Sequence, residues 1–70
     1  MLVKDVFRLY DTTQSNRLII VPTTKPILGQ MPSGGRFISV NVYDTEKISQ
    51  IENEEVQKLY VRDNNIWLEL

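Results

Sequence analysis

The chain has no cysteine and no histidine. The first absence removes disulfides, thiolate nucleophiles and cysteine-based zinc sites. The second removes the commonest metal ligand and the usual general base. Excess positive charge is missing too: eight Lys and Arg face nine Asp and Glu, for a formal net charge of −1. No apolar run approaches the ~18 residues of a membrane span. Lys4, Asp5 and Arg8 stand where a signal peptide would be apolar, so a cytoplasmic protein without a membrane segment is expected.

What remains is 70 residues, 41% hydrophobic and 24% charged, the composition of one small folded domain spanning residues 1–70. A core of that size seldom supplies more than ~3–5 kcal/mol, and small chains usually add disulfides, a metal or a partner subunit. With no thiols and no metal motif, self-association is the favoured remedy, and a two-fold homodimer is expected.

Along the chain, Val3, Val6, Phe7 and Tyr10 form one stripe of a 3.6-residue period, widened by Leu2 and Leu9. The pattern predicts a helix over Met1–Asp11 that packs on a sheet. Arg17–Val21 is a short apolar run rich in β-branched residues, a strand with much of both faces covered, and Pro22 ends it. Gly34-Gly35 signals a hairpin turn. Closing the chain there sets Met31 against Ile38, Gly29 against Val40 and Ile27 against Val42, which predicts an antiparallel pair Ile27–Met31 with Arg36–Tyr43. Asp44-Thr45 starts a second helix marked by Ile48 and Ile51, with Asn53 as its left-handed stop.

At the C-terminus, Leu59 and Val61 alternate with Tyr60 and Arg62, and Ile66, Leu68 and Leu70 alternate with Trp67 and Glu69. A two-residue loop within Asp63-Asn64-Asn65 keeps the apolar residues on one face, whereas a three-residue loop mixes the faces. The predicted fold is α+β: a small antiparallel sheet of about five strands with two short helices, in the order α-β-β-β-α-β-β.

Few residues offer chemistry. Ser33, Gly34, Gly35 and Arg36 could cradle an anion, but a phosphate loop normally opens a helix, so a plain turn is the better reading. Glu52, Glu54 and Glu55 match no calcium-loop spacing and read as a solvated helix end. Ser33, Ser39 and Ser49 have no histidine to activate them. No catalytic residue, cofactor or metal is expected. Tyr60, Arg62 and Trp67 are of the types enriched at binding hot spots and are the expected partner contact. The competing reading has the first helix cover them as core.

The segments Val3-Lys-Asp-Val-Phe-Arg-Leu-Tyr-Asp11 and Val56-Gln-Lys-Leu-Tyr-Val-Arg-Asp-Asn-Asn-Ile-Trp-Leu-Glu-Leu70 resemble small phage and prophage proteins of Gram-positive bacteria. These open with a short helix and close with an apolar hairpin; Pro32–Arg36 departs from their pattern. The resemblance implies a phage accessory protein inside a bacterial host. It would be non-enzymatic and act by binding a protein, such as a host defence factor that it inhibits. A second hypothesis is a protein that sequesters a nucleotide signal at a subunit interface, using Arg36 and the Gly34-Gly35 backbone. Nucleic acid ranks third, because residues 36–70 carry seven acidic residues against four basic ones.

Overall fold

A computed structural model describes residues 1–10, 17–32 and 34–70. The elements are α1 (Val3–Leu9), β1 (Arg17–Val21), β2 (Ile38–Asn41), α2 (Thr45–Ile51), β3 (Lys58–Arg62) and β4 (Asn65–Glu69). The α+β class and both helices are as the periodicity predicts. The sheet differs: it has four strands in the order β2-β1-β4-β3. β1 runs antiparallel to β2 and parallel to β4, so the sheet is mixed rather than wholly antiparallel.

The central position of β1 follows from its composition. Leu18, Ile19, Ile20 and Val21 are all buried, and a continuous apolar run suits a strand flanked on both edges, with Leu18 and Ile20 facing the core and Ile19 and Val21 shielded by side chains of neighbouring strands and loops on the other side. The ladder with β4 extends past the strands, where Leu70 N–H donates to Val21 O and Thr23 Oγ1 donates to Leu70 O.

The expected strand Ile27–Met31 is replaced by a turn. Ile27 N–H donates to Gln30 O and Gln30 N–H to Ile27 O, closing a two-residue turn in which Leu28 and Gly29 have φ of 49° and 80°. Pro26 and Pro32 flank it and offer no N–H to a ladder. Met31 therefore does not pair with Ile38, nor Ile27 with Val42; β2 pairs instead with β1, setting Ile20 beside Ile38 and Leu18 beside Val40. The strand predicted over Arg36–Tyr43 is shorter at both ends. Gly34 and Gly35 do take positive φ, 57° and 82°, but inside the β1–β2 connection.

The C-terminal hairpin has the predicted parity. Asp63 and Asn64, with φ of 53° and 64°, form the two-residue turn, and Leu59 pairs with Leu68 and Tyr60 with Trp67. The core joins Val3 and Val6 of α1, Ile51 of α2, and Leu18, Ile20, Val40, Leu68 and Leu70. Leu9, the last residue of α1, and Tyr10, its extended C-cap, lie outside the core and are exposed.

Asp44 caps α2, its Oδ1 accepting from Lys47 N–H. Asn53 does not take the left-handed conformation expected of it; the helix ends on Glu52 in an ordinary helical conformation. The exit of α2 meets the start of α1 instead. Val3 N–H donates to Glu54 O and Lys4 N–H to Glu52 O, while Asp5 Oδ2 accepts from Leu2 N–H. Carbonyls left over at one helix end thus satisfy amides left over at the other. Glu54, expected to be merely solvated, holds Lys25 at 2.6 Å.

Candidate partner-binding face

Strand alternation divides the sheet into two faces. Leu18, Ile20, Val40 and Leu68 point into the core, and both helices contribute to that side. The residues between them point the other way. Register aligns Ser39, Ile19, Trp67 and Tyr60 in one row across the four strands, and Val21, Glu69 and Lys58 in the next. Neither helix lies on this outer face, so the reading in which α1 buries Trp67 does not hold.

The three sequence-predicted contact residues meet here. The Tyr60 and Trp67 rings stack with centroids 5.9 Å apart and planes 18° from parallel. The Arg62 guanidinium lies 5.4 Å from the Trp67 ring centre, a cation–π arrangement, and Trp67 Nε1 donates to Arg62 O at 3.1 Å, fixing the indole. Phe37 completes the cluster, its ring 5.3 Å from Trp67 and tilted by 57°. Sequence reading missed Phe37. Its signal was a position just before Ile38 with the parity of Ser39, but that signal needs the β1–β2 pairing to be interpreted.

The cluster is half open. Phe37 is 55% exposed, yet Ile19, paired with Ser39 on one side and Trp67 on the other, is only 6% exposed. Burial raises the Tyr60 phenol above its ordinary value, and the neighbouring Glu69 carboxylate raises it further, by charge and as a hydrogen-bond acceptor; Arg62 opposes the shift. The face carries Arg17, Lys58 and Arg62 with Glu69, and Asp63 Oδ2 lies 3.9 Å from Arg62 Nε at its edge, so three basic groups meet two acidic ones beside the indole.

Of the four cradle residues, the structure places Gly34 and Gly35 at a cleft and Arg36 away from it. Gly34 and Gly35 border an open cleft of about 350 Å³ with Val21, Pro22, Thr23, Pro32 and Glu69. Arg36 is exposed and does not line it. Ser33 lies outside the described residues. The charged group at the cleft is the Glu69 carboxylate, which repels a phosphate. Among the described residues no group of three or more acidic side chains is placed to hold a metal ion, and no helix is long and apolar enough to cross a membrane.

Compared with protein-family models, curated proteins and solved structures, the chain finds no match.

Proposed function

We propose that this chain is a non-enzymatic, phage-type accessory protein that acts inside a bacterial host by binding a protein partner, with inhibition of a host defence factor as the consequence. The observation that carries this reading is the outer face itself: Trp67 stacked on Tyr60, topped by Arg62 and flanked by Phe37, on a sheet surface that neither helix covers. Trp, Tyr and Arg clustered in a partly desolvated patch are the usual composition of a binding hot spot. The lack of histidine and cysteine supports a role without catalysis.

The nucleotide alternative has less support, because Glu69 supplies the charge at the Gly34-Gly35 cleft while Arg36 stands apart. A thermal-shift screen separates the two readings. A nucleotide at a hundred times its dissociation constant adds ~2.7 kcal/mol of stability, and no such shift is expected.

The test of protein binding is co-purification of the tagged chain from phage-infected or lysogenic cells, side by side with Trp67→Ala and Arg62→Ala. A specific protein retained by the wild type and lost from both variants, each with an unchanged circular dichroism spectrum, is the expected result. Hot-spot truncation costs ~2 kcal/mol or more, about 30-fold in affinity. Equal retention by all three chains would refute the assignment of this face.

A further inference from the structure

The two edges of the sheet are not equivalent. β3 ends in Lys58 and Arg62, charges of the kind that keep an exposed edge from pairing with another chain. β2, Ile38-Ser39-Val40-Asn41, carries no charge and no proline. Phe37 and Tyr43, 55% and 65% exposed, bracket it. An uncharged, regular edge flanked by open aromatics invites a strand.

We propose that β2 pairs with β2 of a second copy of this chain, antiparallel and centred on Ser39, joining two four-stranded sheets into one. The sequence around Ser39 is self-complementary under that two-fold. Ile38 comes opposite the partner's Val40 on the core side, extending the apolar row that already links Val40, Leu18 and Ile66. On the outer side Ser39 meets the partner's Ser39, and Phe37 meets the partner's Asn41. A one-residue slip would set Ile38 opposite the partner's Ser39 with a mismatch of faces.

The same two-fold logic disfavours dimerisation through the aromatic face. A closed two-fold brings identical patches together, and this one would bring the Lys58 and Arg62 charges of one copy near those of the other. Pairing at β2 leaves both aromatic faces open on one side of an eight-stranded sheet. Phe37, which touches Trp67, stands at the seam, while Tyr60, Arg62 and Trp67 lie away from it.

The absence of native cysteine makes the geometry directly testable. In Ser39→Cys the two introduced thiols lie across the axis within disulfide reach, as directly opposed antiparallel residues have Cα atoms about 4.5–5.5 Å apart. In Asn41→Cys each thiol sits two residues from the axis on opposite sides, about 14 Å apart and beyond bridging. Light scattering should give the wild type a mass near twice 8.2 kDa at high micromolar concentration. Under mild oxidant, Ser39→Cys should run as a covalent dimer on a non-reducing gel while Asn41→Cys stays monomeric. Circular dichroism confirms that both variants are folded. A wild-type mass of 8.2 kDa overturns the dimer. A double mass with no Ser39→Cys crosslink, or with equal crosslinking of Asn41→Cys, overturns the β2 contact and its register.

Discussion

Trp67 and Leu68 are neighbours on β4 that point to opposite faces, and their substitutions should separate stability from recognition. Leu68 is fully buried among Leu18, Ile20 and the helices. Leu68→Ala should cost ~2–5 kcal/mol, enough to unfold so small a domain. Trp67 rests on the outer side, so Trp67→Ala should cost about 1–2 kcal/mol and leave a folded chain. Urea unfolding of the pair decides this; a larger loss for Trp67→Ala would make the aromatics the core. Tyr60 adds a pH signature. Its phenol is raised above the unfolded value, so its contribution is fully present below the unfolded pKa of ~10 and is lost as pH rises through the higher folded value. Alkaline unfolding should therefore shift to higher pH in Tyr60→Phe. Identical alkaline midpoints would contradict the placement of Glu69 and the partial burial of the ring.

At the scale of the elements, positive φ is confined to three places, Leu28-Gly29, Gly34-Gly35 and Asp63-Asn64 among the described residues, and these explain what could be read in advance. The two-residue length of the β3–β4 turn was legible because Asn tolerates that conformation and the parity of Leu59, Val61, Ile66 and Leu68 leaves one loop length; parity alone did not choose Asp63-Asn64 over Asn64-Asn65. Asn64→Gly should raise stability by about 0.5 kcal/mol, since glycine suits the second position of such a turn better. The Leu28-Gly29 turn was hidden, because leucine seldom adopts φ above zero and nothing local signals it. All three prolines and all three glycines fall within residues 22–35, a clustering that marks an irregular connection and weighs against a strand there. Gly34 and Gly35 have no atom within 4 Å of where a Cβ would stand. Any cost of Gly34→Val with Gly35→Val is thus backbone strain, at least ~1–2 kcal/mol per residue, measurable as a lowered melting temperature. An unchanged melting temperature would mean the loop turns elsewhere.

Over the whole molecule, the element types were readable from periodicity, whereas the strand order was not. The parallel contact of β1 with β4 joins residues 18–21 to residues 66–69 across nearly the full chain, and no local pattern encodes which apolar strand takes which neighbour. The same long-range pairing decides the candidate site, because it lays Trp67 beside Ile19 and Phe37 and turns a two-strand patch into a face. α1 could have covered either side by its own stripe; Val3 and Val6 commit it to the Leu68 side. The central claim is that the chain's single tryptophan sits on an open sheet face beside the Arg62 guanidinium. Quenching of Trp67 fluorescence in the native protein by iodide and by caesium tests it most directly. Iodide should quench well and caesium poorly, and the difference should shrink in Arg62→Ala. A tryptophan that neither ion reaches until the protein unfolds, or that caesium quenches better, would contradict the account.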